Sequence, residues 1–206
     1  VAAVIAIQSP QKDWFMNVSL GERVLDISRN HGNKEFTPAM VRTAKRIYGD
    51  NKAAQAALRF IMSPTRNSSS LDSLEFSMHK GMWIRIFDET YNDRGHRIVT
   101  PEGEFLDYAR TKNGQPKKTG WGSLSEISKA IDVIDDPSLE NISIVMGKRH
   151  KIRSFFNNII TPMSTDGHST IDTHAVAGAH LKPLSGKSLE VDHNFGLYTK
   201  KGRADK

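Results

Sequence analysis

Apolar residues along most of the chain recur at the three- and four-residue spacing of helices, and one stretch in the middle reads differently. Residues 1–7 are apolar, and the pattern continues through Trp14, Phe15, Val18, Leu20, Val24, Leu25 and Ile27 after a break at Ser9-Pro10. A turn is expected at 30–33 (NHGN). Thr37 is placed to cap a helix with Pro38 in its first position and Gly49 at its close. Asp50 begins the next helix, alanine-rich 51–62, and the polar segment 63–72 (SPTRNSSSLD) reads as an exposed loop. Then the character changes. Residues 82–90 (MWIRIFDET) and 96–100 read as alternating strands around Asp93-Arg94-Gly95, which predicts a β-hairpin, and 112–120 (KNGQPKKTG) follows as a basic loop. From Ser123 the helical period returns, with Leu124, Ile127, Ala130, Ile131 and Ile134 on one face. Leu139, Ile142 and Val145 form a short helix ending at Gly147. Further helices are expected at about 150–160 and 173–181, and a loop at 183–196. The reading is a mainly α protein with a small β-hairpin insertion and no internal repeat.

Composition narrows the class. The chain has 206 residues, enough for one large domain with a real core. It has no cysteine, which excludes a disulfide scaffold, a thiolate zinc site, a cysteine nucleophile and a cysteine-held iron–sulfur cluster within these residues. No cofactor is expected. The apolar run 1–7 is too short to span a bilayer and lacks the basic flank and cleavage site of a signal peptide, so no membrane partner is expected and the location is read as cytoplasmic. Opening on valine inside an apolar run, the sequence reads as a segment whose preceding residues are missing. Lys and Arg total 29 against 23 for Asp and Glu, a formal charge of +6 that leans toward a polyanionic partner without naming one.

Chemistry concentrates in 139–179 (LENISIVMGKRHKIRSFFNNIITPMSTDGHSTIDTHAVAGA). A short helix, a tight turn at Met146-Gly147-Lys148-Arg149 and a second helix make a helix–hairpin–helix. Backbone N–H groups at such a turn can hold a phosphate. Lys148, Arg149, His150, Lys151 and Arg153 add positive charge at the same place. Further along, Ile171-Asp172-Thr173-His174 sets a carboxylate at the start of a helix. A lysine or water beside an aspartate is what attack on an anomeric carbon needs. The same residues also suit a plain helix cap and a solvated basic turn.

The order of hairpin, lysine, apolar helix and IDTH resembles the helix–hairpin–helix DNA glycosylase superfamily, its endonuclease III branch especially. In the resemblance Gly147 takes the first hairpin glycine, Lys151 the catalytic lysine and Asp172 the catalytic aspartate. Arg149 stands where that family has its second glycine, and the lysine-to-aspartate interval is a few residues longer, the excess falling in 161–169. Residues 3–17 (AVIAIQSPQKDWFMN) resemble the family's early helix. There Gln11 corresponds to the glutamine that fills the hole left by a flipped base, and Asp13 and Asn17 also fit. The two stretches cover less than a third of the chain. Segments such as HKIRSFFNNI and TIDTHAVAGAHLKPLSG are also similar to phage-encoded glycosylase-like proteins, which would place the protein in a bacterial host's cytoplasm.

The resemblance implies a two-lobed glycosylase fold without the β-hairpin, which is not part of the common core. It also implies a DNA glycosylase, with or without abasic-site lyase activity, acting on double-stranded DNA. Such an enzyme flips and excises a modified or damaged base; Gly147, Lys148, Arg149, His150 and Arg153 would anchor the backbone, with Lys117 and Lys118 as further phosphate contacts. Asp172 would stabilise oxocarbenium charge or orient the nucleophile. If Lys151 attacks, it must first lose its proton, helped by burial or by the neighbouring Arg149 and Arg153. The alternatives are an inactive glycosylase-fold protein that binds DNA or RNA, a base-hypermodifying enzyme of the same fold, and a structural protein whose hairpin only packs.

Other features carry two readings each. His168, Asp172 and His174 suit a metal set less well than a loop histidine beside a helix start. Asp192-His193-Asn194 suits a DNA-facing loop or simple turn chemistry, and Lys117-Lys118 a solvated loop or a phosphate contact. Among the tryptophans, Trp14 is expected in the core, while Trp121, between Gly120 and Gly122, is the expected surface aromatic.

Overall fold

A computed structural model describes residues 1–194 apart from Gln11, Asp50, 63–69, Pro101, Lys148, Arg149, His168 and 186–187, and leaves undescribed the side chains of His150, Asp192 and Asn194. The described residues form ten α-helices and one two-stranded sheet: α1 (Ala2–Ile7), α2 (Trp14–Asn30), α3 (Pro38–Tyr48), α4 (Lys52–Ile61), α5 (Ser77–Tyr91), β1 (Arg97–Val99), β2 (Phe105–Tyr108), α6 (Leu124–Asp135), α7 (Leu139–Met146), α8 (His150–Ile160), α9 (Thr173–His180) and α10 (Leu189–Asn194). A single 3-10 turn, Leu71–Ser73, precedes α5. The chain divides into two compact units. The first comprises Val1 and Ala3–Val145, the second Ala2 and the chain from Met146 onward.

In the first unit α5 is the central element, packed against α2, α3, α4 and α6. Its Met82, Trp83, Ile84, Ile86 and Phe87 are all buried, together with Leu20 and Ile27 of α2, Met40 of α3, Leu58 of α4 and Ile127 of α6. Each such side chain contributes about 1.5–3 kcal/mol on leaving water. Gly81 lets α6 come close, since a Cβ there would stand 3.1 Å from Ser128 Oγ. Segment 82–90 is therefore helical, which corrects the strand expectation. A helix covered on several sides has no single apolar stripe, so its pattern imitates the near-continuous run of a buried strand. Within 82–90 only Arg85, Glu89 and Thr90 are not fully buried, Arg85 and Glu89 pairing 3.4 Å apart one turn from each other.

Thr37 caps α3 as expected, through Met40 N. The cap of α4 is Asn51, through Ala54 N at 3.0 Å, one residue after the expected start at Asp50, which lies outside the described residues. Asp13, not expected as a cap, accepts from Met16 N at 2.9 Å and starts α2.

The sheet begins later than expected. β1 and β2 pair antiparallel, Arg97 opposite Tyr108 and Ile98 opposite Asp107, with an irregularity between Ile98 and Val99. The chain then turns at 111–115 and returns, with Arg110 bridging Pro116 and Gly95 bridging Lys118. The predicted basic loop is thus the outer arm of a small β-structure. At its base, Asp93 accepts from Gly95 N at 2.8 Å and from the Tyr108 hydroxyl at 2.7 Å. These bonds, the backbone one first, hold the Asp93 carboxyl below its ordinary range. A carboxyl lowered on folding stabilises the fold above its unfolded pKa and loses that contribution as pH falls through its folded value. Tyr108→Phe is expected to move Asp93 back toward the ordinary range, which NMR titration of the Asp93 carboxyl in the two proteins would register.

Where the hairpin joins the helices, a charged cluster is buried. Asp88 has no exposed surface, and Arg23 Nε and Arg94 Nε stand 3.1 and 3.3 Å from its two oxygens. Asn92 Nδ2 donates to it at 2.9 Å, and Arg23 also donates to the Thr119 carbonyl at 3.0 Å. Burial pushes the Asp88 carboxyl up and the Arg23 guanidinium down, against the attraction between them. Arg23 lies 5.0 Å above the Trp121 ring.

That stacking reverses the expectations for two tryptophans. Trp121 is buried, 6 % exposed, beneath the guanidinium, while Trp14 is 46 % exposed in the first turn of α2.

In the second unit α9 packs against α10, and Ile152, Val176 and Val191 are buried. The expected terminal loop 183–196 contains α10, so Asp192-His193-Asn194 lies on a helix rather than a loop.

Candidate active site

The site is assembled within the second unit. Gly147 has φ +57°, a left-handed conformation that glycine adopts without the steric cost other residues bear, and it follows α7 directly. Arg153, on α8, donates from Nε to the Gly147 carbonyl at 2.5 Å. One residue of the predicted basic cluster therefore turns back onto the hairpin backbone. Lys148 and Arg149 lie outside the described residues, as does the side chain of His150.

Lys151 sits in the first turn of α8, and Asp172 is the N-cap of α9. The two oxygens of Asp172 have separate partners. Oδ1 accepts from the backbone N–H groups of His174 and Ala175, both at 3.0 Å. Oδ2 stands 3.9 Å from Lys151 Nζ. The side chains are 29 % and 34 % exposed, so the pair is partly sheltered and still open to a ligand.

The chain between α8 and Gly167 is folded back on itself. Thr161 N bonds back to Asn157 O, and Ser164 N to Thr161 O. Ser164 Oγ donates to Asp166 Oδ2 at 2.9 Å, and Gly167 turns the chain with φ +73°. Asn158 Nδ2 then ties α8 to Thr170 Oγ1 at 3.0 Å, two residues before Asp172. Residues 161–167 thus form a turn between α8 and the approach to Asp172.

Of the other predicted contacts, Lys117 and Lys118 belong to the first unit and are exposed on the return arm of the hairpin. Gln11 lies outside the described residues. Around it Asp13 serves as a cap, Asn17 is buried, and Lys12 pairs with Glu126 Oε2 at 3.4 Å. His174 is exposed at the start of α9, and His168 lies outside the described residues.

Sequence reasoning missed the buried Asp88 with Arg23 and Arg94, because a strand reading of 82–90 gave Asp88 no partner. A helical reading, with Asn92 one turn after it, is the signal that would have found it. It also missed buried Gln8, whose Nε2 donates to the Glu126 carbonyl at 3.4 Å. Comparison of the chain with models of known protein families, with curated proteins and with solved structures found no match.

Proposed function

We propose that the protein is a DNA glycosylase of the helix–hairpin–helix fold, using Lys151 and Asp172 on a base flipped from duplex DNA. The observation that carries this reading is the approach of Lys151 Nζ to Oδ2 of Asp172, the oxygen not used in capping, 3.9 Å apart and partly exposed. The left-handed Gly147 after α7 supports it as the pivot of a phosphate-holding hairpin.

The chemistry runs in two steps. As the bond from the sugar C1′ to the base breaks, its electron pair leaves with the base, and the carboxylate of Asp172 stabilises the positive charge spread over C1′ and the ring oxygen. In its neutral form the Lys151 amine gives its lone pair to C1′, and one amine proton passes to the departing base. The C1′–O4′ bond then opens, O4′ takes up a proton, and C1′ remains joined to Lys151 as an iminium. If water attacks in place of the lysine, the product is an abasic site and no covalent link forms.

Borohydride tests the lysine route, because hydride adds to the iminium and fixes the protein to DNA. Wild type incubated with duplexes carrying modified bases or an abasic site is expected to give a borohydride-dependent cross-linked band, and Lys151→Ala none. A second reading has its own observation: Oδ1 of Asp172 is engaged as a cap, which a binding module of the same fold would also need. Tight duplex binding with neither base release nor cross-link from any substrate would establish that reading.

A further inference from the structure

The first unit contains a cleft that the proposed catalytic pair does not use. It lies between the first turns of α2 and the hairpin, with a volume of about 310 Å3, and its walls include Trp14, Phe15, Glu22, His96, Arg97 and Thr119. Trp14 and Phe15 are 46 % and 43 % exposed, although both are large rings at the start of a helix. His96 is held in the wall by its backbone, donating to the Lys117 carbonyl at 2.8 Å, and its Nε2 stands 3.6 Å from Asp13 Oδ2. Arg97 spreads its guanidinium 5.2 Å over the Phe105 ring. The cleft therefore offers flat aromatic and guanidinium surfaces, and in its wall the carboxylate of Glu22, which suits an N–H on a base edge rather than a phosphate.

Charge lies beside it. The same backbone bond that seats His96 brings the 109–118 arm (ARTKNGQPKK) to the cleft. That arm carries Arg110, Lys112, Lys117 and Lys118 and no acidic residue. Its conformation is fixed: Thr111 N bonds to Gln115 O and Lys117 N to Ala109 O, both within 2.8 Å, and Gly114 turns with φ +74°. All four cations are exposed. An arm of net positive charge whose Lys117 end is bonded to the wall of a cleft with aromatic sides matches a polymer of flat rings on an anionic backbone. Duplex DNA buries its ring faces in the stack, whereas a single strand presents them.

We infer that this cleft is a separate site for single-stranded nucleic acid, an unpaired base resting against Trp14 and Phe15 while adjoining phosphates lie along Arg110, Lys112, Lys117 and Lys118. It shares with the glycosylase reading the class of polymer and none of its residues but the two lysines.

The test is fluorescence anisotropy of labelled oligo(dT) with the full chain, titrated at several salt concentrations. Trp14→Ala is expected to weaken binding about tenfold, the size of one lost base–aromatic stack, and Trp14→Phe to restore most of it. Circular dichroism confirms that each variant is folded. Lys117→Gln with Lys118→Gln is expected to reduce the slope of log affinity on log salt by about 1.4, two single-strand phosphate contacts. Oligo(dT) affinity unaltered by Trp14→Ala, or displacement of oligo(dT) by an equal concentration of duplex, would overturn the inference. The two readings fail separately. Wild type that releases no base yet binds oligo(dT) through Trp14 loses only the glycosylase reading. Wild type that releases base while Trp14→Ala leaves oligo(dT) affinity untouched loses only this one.

Discussion

Asp172→Asn is expected to lower single-turnover base release by two to four orders of magnitude while duplex affinity stays the same or rises slightly. The structure allows this substitution to separate charge from cap. Asparagine keeps an oxygen that can accept from His174 N and Ala175 N, so α9 retains its start. What disappears is the negative charge on the oxygen facing Lys151, 3.9 Å away. Removing a charge that stabilises the transition state costs about 3–5 kcal/mol, and each 1.4 kcal/mol is a factor of ten. Asp172→Ala removes the cap as well and is expected to destabilise the second unit by about 1 kcal/mol besides. Base release followed by single-turnover kinetics on a panel of modified duplexes, with thermal melts of both variants, separates the effects. Full release by Asp172→Asn would return Asp172 to a purely structural role.

The largest effect on stability is expected at Asp88. Asp88→Ala is expected to cost about 3–5 kcal/mol, because it leaves two guanidinium groups facing a site from which water is excluded. Arg23 and Arg94 both point at that carboxylate, at 3.1 and 3.3 Å, and neither can shed its charge at any ordinary pH. The midpoint of urea unfolding should fall with little change in slope. The pH dependence has an unusual sign. Burial raises the Asp88 carboxyl on folding, so the native protein holds this proton to higher pH than the unfolded chain. This group alone therefore makes stability decline as pH rises through its folded value, the reverse of Asp93. Asp88→Asn should remove that decline from the difference between the two stability–pH curves.

Local rules carried the sequence reading at several helices with one face in solvent, though not at α10, which was read as a loop. Thr37-Pro38 and Asp172 each announce a helix start through a side chain that accepts a backbone N–H, a signal needing no knowledge of the rest of the fold. The interior defeated it. MWIRIFDET is a helix because α2, α3, α4 and α6 all cover it, and nothing local distinguishes a helix buried on several sides from a buried strand. The tryptophans failed for the same reason. Trp121, flanked by glycines, is enclosed by Arg23 from a distant helix, a contact invisible in its own neighbourhood. At the candidate site the residue types were legible as cap and basic turn. The pairing of Lys151 with Asp172 was expected only through the resemblance, and their 3.9 Å approach depends on how the segment between α8 and α9 folds.

The division of labour within Asp172 also bears on heat. A side chain bound through one oxygen to two backbone amides is oriented before any substrate arrives, so no entropy remains to be lost at the moment of reaction. The same bond makes the orientation only as durable as the first turn of α9, a helix of eight residues. Short helices fray long before a buried core melts. On heating, the first turn of α9 is therefore expected to open, and the orientation of Asp172 to be lost, before the α5 core melts.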